Sequence, residues 1–114
     1  MHELSLAHAI VEEIAESLGE GERLARIGLT VGRLSCVSPD SLSFCLEALL
    51  QQTDMGSPEL EVRRSPALLR CRECGEQFGT DDMYTPCPAC GGMRREVLAG
   101  RDLVVDYMEI LQTE

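Results

Sequence analysis

The chain of 114 residues has no tryptophan and no lysine, and only two tyrosines, two phenylalanines and two histidines. With 44% apolar residues there is enough material for a core, but that core has to be aliphatic. Every base is an arginine: ten of them face 20 acids, for a net charge of -10. Such a field repels nucleic acid and anionic membranes, so neither is expected as a partner. No apolar run approaches the roughly 20 residues of a membrane span. The opening Met-His-Glu-Leu lacks the basic region and apolar stretch of a secretory signal. These absences point to a cytoplasmic protein with reduced thiols. Catalytic furniture is missing too. There is no Ser/His/Asp set, no phosphate-cradling glycine loop and no metal-ligand pattern with an open position, so an enzyme is not expected.

What the chain does have is six cysteines, four of them in one pattern. Cys71-Arg72-Glu73-Cys74-Gly75 and Cys87-Pro88-Ala89-Cys90-Gly91 are two C-x-x-C turns, each followed by a glycine. A C-x-x-C turn aims two sulfurs into one pocket, its backbone amides stabilise the thiolates, and the glycine permits the positive φ that the turn requires. Cys71, Cys74, Cys87 and Cys90 together make a tetrahedral thiolate set that suits a structural Zn(II), with no position left for water or substrate. Two alternatives compete. A pair of disulfides needs an oxidising compartment. An iron centre of the rubredoxin kind uses similar turns, but the short spacer and the lack of tryptophan deprive it of an aromatic shell. Cys36 and Cys45 fall outside the pattern and are expected to be small buried core residues.

Around this motif the spacing predicts an α+β protein. Leu4, Ala7, Ile10, Val11, Ile14, Ala15 and Leu18 recur at helical spacing and predict one buried stripe, on a helix preceded by about three residues and ended by Gly19 and Gly21. Ala25, Ile27, Leu29 and Val31 alternate in a strand over 24–34. Ser38 suits an N-cap, Pro39 a first helical position and Asp40 the positive end of the helix dipole. The helix that follows is expected to bury Leu42, Cys45, Leu46, Leu49 and Leu50. Strands are expected near 59–64 and over Leu103, Val105 and Tyr107. The simplest assembly packs two helices on a three-stranded sheet, with a four-cysteine zinc ribbon inserted at 68–97 and the α+β domain made from 1–67 and 98–114. Residues 1–62 carry a charge of -8, residues 63–101 carry +2 and the last thirteen carry -4. A mildly basic ribbon on an acidic body fits a protein–protein docking surface, as it also fits a solvated, salt-bridged one.

The remaining chemistry sits in Met1-His2-Glu3. The α-amine of Met1, the backbone nitrogen of His2 and its imidazole can close fused chelate rings around one ion, and Glu3 can complete a planar N,O set. That geometry selects nickel(II) or copper(II). His8 lies off the apolar stripe and is expected to be exposed rather than a ligand.

Met-His-Glu-Leu-Ser at the start, the Leu29-Thr30-Val31-Gly32 strand, the Ser38-Pro39-Asp40-x-Leu42-x-Phe44 helix start and the paired C-x-x-C turns occur here in one order over nearly the whole chain. In this combination the sequence resembles the HypA/HybF family of hydrogenase nickel-incorporation proteins. The resemblance implies a nickel metallochaperone with Ni(II) as transferred cargo, bound through Met1, His2 and Glu3, and a structural zinc held by the four cysteines. Its implied partners are the nickel-handling GTPase HypB, the hydrogenase large subunit and, for some members, urease maturation proteins. Many members carry Glu where this chain has Asp40, which leaves Asp40 an auxiliary carboxylate near the N-terminus. The alternative is a non-enzymatic zinc-ribbon adaptor that binds a protein partner and carries no nickel.

Overall fold

A computed structural model describes residues 2–111, with the side chain of His2 left out. Eight elements follow one another: α1 (His2–Ser17), β1 (Leu24–Gly32), α2 (Pro39–Leu50), β2 (Glu59–Ser65), β3 (Ala67–Cys71), β4 (Gln77–Thr80), β5 (Arg95–Ala99) and β6 (Leu103–Ile110). They form two three-stranded sheets, of order β2-β1-β6 and β4-β3-β5. Two compact units result: Met1–Leu29 with Val37–Arg63 and Val104–Glu114, and Thr30–Cys36 with Arg64–Leu103.

The first unit is the expected α+β body, in which α1 and α2 pack against each other. Its core is aliphatic, as the shortage of aromatics requires: Ala7, Ile10 and Ile14 from α1, Ile27 and Leu29 from β1, and Leu42, Leu46 and Leu50 from α2 are buried. The start of α2 follows from its sequence. Ser38 adopts an extended backbone and its Oγ accepts the amide of Ser41 at 3.3 Å, with Pro39 in the first turn where its missing N–H costs nothing. Gly28 of β1 is fixed by a close approach, since a Cβ there would sit inside the ring of Tyr107. Arg26 of β1 pairs with Glu59 and Glu109 at 3.7 and 4.0 Å.

Several expectations need correction. The first helix reaches back to His2, which puts Glu3 in the first turn, where an acid is favoured by the helix dipole. Its buried stripe is narrower than predicted: Leu4 stands 42% exposed in that open first turn, and Ala15 is exposed at the stripe's margin. Leu49 and Cys45 are only half-buried, because they flank the Leu42–Leu46–Leu50 line that faces the core. Cys36 is exposed and takes a positive φ of 62°. It follows a tight turn closed by Ser35 N–H to the Gly32 carbonyl at 3.1 Å, and the reversal carries its thiol outward.

The second unit holds a sheet that the cysteine pattern alone did not reveal. Ala67, Leu69 and Cys71 are buried and alternate with exposed Leu68 and Arg70. β3 pairs antiparallel with β4 (Leu69 opposite Phe78) and with β5 (Cys71 opposite Arg95). Its small core is Leu69, Cys71, Phe78 and Cys87, with Leu34, Met83 and Val97 packed against it.

Candidate metal centre

Two turns build the centre from the backbone upward. In the first, Gly75 donates its amide to the Cys71 carbonyl at 2.9 Å, and the Glu73 amide points at the Cys71 sulfur at 3.4 Å. In the second, Gly91 donates to the Cys87 carbonyl at 2.7 Å, and the Gly92 amide points at the Cys90 sulfur at 3.4 Å. Gly75 and Gly91 have φ of 83° and 73°, the left-handed conformation that a side chain would strain. The end of β3 supplies Cys71. The other three cysteines stand on loops, which is why their positions depend on turn chemistry and not on a ladder of strand bonds.

The result is four sulfurs that all lie within 4.8 Å of one another, the one cluster of three or more His, Cys, Asp or Glu ligands among the described residues. Cys71 and Cys90 are 3.6 Å apart at sulfur, as are Cys74 and Cys87. A tetrahedral ion with metal–sulfur bonds of about 2.3 Å would set sulfur–sulfur edges of about 3.8 Å. The donor set therefore fits a thiophilic ion such as zinc, and the two 3.6 Å edges already stand close to that spacing.

Electrostatics point the same way. The Cys74 and Glu73 amides draw the Cys71 thiol down to about 7. At Cys90 the Gly92 amide also pulls downward, but hydrogen bonds with Cys71 and Cys74 and burial outweigh it, and the thiol is pushed up to about 12. The Cys74 thiol is raised as well: the Glu76 amide lowers it, while burial and the hydrogen bond with Cys87 prevail. The Cys71 thiolate thus forms readily while Cys74 and Cys90 resist, because burial and hydrogen bonds among the sulfurs favour their protonated forms. A bound dication removes that resistance.

The N-terminal candidates are reached only in part. Met1 and the side chain of His2 lie outside the described residues. Glu3 is half-buried, and its Oε2 accepts the backbone amide of Ser38, the N-cap of α2, at 3.2 Å. It lines a shallow cleft with Asp40, Ser41, Phe44 and Cys45. The structure thus brings Glu3 and Asp40 to one place although they are 37 positions apart in sequence. His8 is exposed on α1. The thiol of Cys45, expected in the core, lies half-buried in this cleft from the middle of α2.

Fold and site define a small α+β protein whose second unit is a ribbon built around a four-sulfur metal-ligand set. Comparison with known proteins narrows this class. The family model described as "Hydrogenase/urease nickel incorporation, metallochaperone, hypA" matches residues 1–110, and the chain belongs to that family. It is 40% identical to the hydrogenase maturation factor HypA of Geotalea uraniireducens (strain Rf4) over 110 residues, covering 96% of this chain and 99% of the relative. It is 36% identical to the HypA of Geobacter metallireducens (strain ATCC 53774 / DSM 7210 / GS-15), also over 96% of this chain and 99% of the relative. In fold it is similar to the solution structure of the Ni metallochaperone HypA from Helicobacter pylori, with a TM-score of 0.65 at 19% identity, covering 99% of this chain and 100% of that one. No helix of the described residues is long and apolar enough to cross a membrane.

Proposed function

We propose that this protein is a cytoplasmic nickel metallochaperone without enzymatic activity. It binds Ni(II) through Met1, His2 and Glu3 and delivers it during maturation of nickel–iron hydrogenase. Cys71, Cys74, Cys87 and Cys90 hold a structural zinc. The partners of this reading are the GTPase HypB and the hydrogenase large subunit, with urease maturation proteins as further recipients.

The observation that carries the nickel site is the placement of Glu3. It stands in the first turn of a helix that starts at His2, held to the α2 N-cap and beside Asp40. The first backbone N–H groups of a helix have no partner within the helix, so the nitrogens of His2 and Glu3 can coordinate without breaking a helical bond. His2 contributes its imidazole, Met1 its amine, Glu3 a nitrogen or carboxylate oxygen, and Asp40 an auxiliary carboxylate from the neighbouring helix. A few donors at the end of a helix can be dismantled by a partner, whereas a thiolate cage that encloses its ion cannot. Release is what a chaperone needs. Protons compete for an α-amine and an imidazole at reference values of about 8 and 6.5, so nickel affinity falls as pH drops through that range.

The test is a calorimetric nickel titration of zinc-loaded protein, with elemental analysis. It compares the chain beginning at Met1, a form extended by a few residues before Met1, and His2→Ala. The expected result is about one nickel per native chain, lost in both altered forms with zinc retained. Equal nickel binding in all three, or binding in none, rejects the site and favours the adaptor that carries no nickel.

A further inference from the structure

Between the end of β4 at Thr80 and the start of β5 at Arg95 the chain makes a loop with no helix or strand, and the Cys87–Cys90 turn hangs inside it. One side chain gathers this loop. Arg95 Nε donates to the Met93 carbonyl at 2.9 Å. Its Nη1 donates to the carbonyls of Met83 at 2.9 Å and Thr85 at 2.6 Å, and its Nη2 reaches the Gly92 carbonyl and the Met93 sulfur, both at 3.4 Å. The guanidinium lies over the Phe78 ring, 5.8 Å from its centroid. Met83 and Thr85 precede the turn and Gly92 and Met93 follow it, so a single cation ties the entering chain to the leaving chain. Arg95 itself sits opposite Cys71 in the β3–β5 register, and the Gly92 carbonyl that it reaches also accepts the Cys87 amide at 3.0 Å.

The geometry assigns Arg95 the role of a positioning residue for the four-sulfur centre: it clamps the Cys87–Cys90 turn against the Cys71–Cys74 turn and sets how fast the ion is released. This rests on the reading of the four cysteines as a metal site. Five bonds to acceptors on both sides of a loop require a planar fork of donors, which arginine has and lysine lacks. Partners that orient ligands in this way commonly tune metal affinity by about 10–100-fold.

Zinc release from the full-length protein to a chromogenic chelator tests the assignment, alongside the thiolate-to-cobalt charge-transfer band of the Co(II) form. Arg95→Gln should release zinc about 10–100-fold faster and alter the cobalt band. Arg95→Lys should fall between it and the parent, since an ammonium keeps the charge and some of the bonds. It also carries the comparison should Arg95→Gln fail to fold. Ile27→Val, a change in the buried core of the helical body, should lower stability and leave the cobalt band unchanged. Parental release rates and an unaltered band in both Arg95 variants overturn the role. So does an Ile27→Val band altered as much as that of Arg95→Gln. A parent protein that elemental analysis finds without metal at the cysteines overturns the metal reading itself, before any variant is compared.

Discussion

Removing the ion from the four cysteines should unfold the ribbon loop and leave the helical body intact. The ribbon's buried cluster has four members, of which Cys71 and Cys87 are in the sulfur set, so Leu69 and Phe78 are its full apolar contributors. At about 1.5–3 kcal/mol each they supply about 3–6 kcal/mol. The fourteen residues Asp81–Arg94 have no regular structure of their own. Ordering them at about 1–2 kcal/mol per residue costs about 14–28 kcal/mol. A structural zinc contributes on the order of 10–16 kcal/mol at neutral pH, which closes most of that gap. Without it the loop cannot remain ordered. The assay is amide hydrogen exchange by mass spectrometry before and after chelation, with metal loss verified by elemental analysis. Protection should vanish over 81–94 and persist in α1 and α2, whose contacts are aliphatic and need no ion. Undiminished protection over 81–94 in metal-free protein would refute the reasoning, as would simultaneous loss in both helices.

Two other predictions concern Tyr107. Gly28→Ala should destabilise the protein by about 1–3 kcal/mol in urea unfolding, because the new methyl occupies the ring's place. In the double variant with Tyr107→Ala the methyl should add no further cost, and strictly additive losses would show that the two residues do not meet. The second is a pH effect. Burial first, then the hydrogen bond to Glu61 and that carboxylate's charge, hold the Tyr107 phenol above its ordinary value of 10.0. An acid with a raised folded value ionises first in the unfolded chain. Its contribution is therefore complete below about pH 10 and is lost as pH rises through the folded value. Urea midpoints measured from pH 8 to 11 should fall more steeply for the parent than for Tyr107→Phe, and parallel curves would contradict this.

The parts that could be read from the sequence are those set by local chemistry. A C-x-x-C-G run has few ways to turn, so both cysteine turns and their positive-φ glycines followed from spacing, and Ser38-Pro39 announced the start of α2 in the same manner. The sheet of the second unit was hidden because Gln77–Thr80 and Arg95–Ala99 are short, and their partner in β3 lies up to 31 positions away. Cys36 was misjudged by type: cysteines are usually buried, and residue type says nothing about a turn that points one outward.

Arg95 was invisible for a deeper reason. Four of its five hydrogen bonds end on the carbonyls of Met83, Thr85, Gly92 and Met93, a group that every residue type offers alike, and the fifth reaches the Met93 sulfur. Nothing in the sequence around those carbonyls records that a guanidinium binds them. Glu3 and Asp40 illustrate the opposite case. Glu3 was a ligand candidate by its own chemistry and Asp40 only through the family resemblance, but only the packing of α1 on α2, through core residues such as Ala7, Ile10, Leu42 and Leu46, puts them in one cleft. Aliphatic residues with no chemistry of their own thus fix the spacing of the carboxylates. A core change such as Leu42→Ala should therefore disturb the Glu3–Ser38 contact as well as stability, because the same two helices carry both.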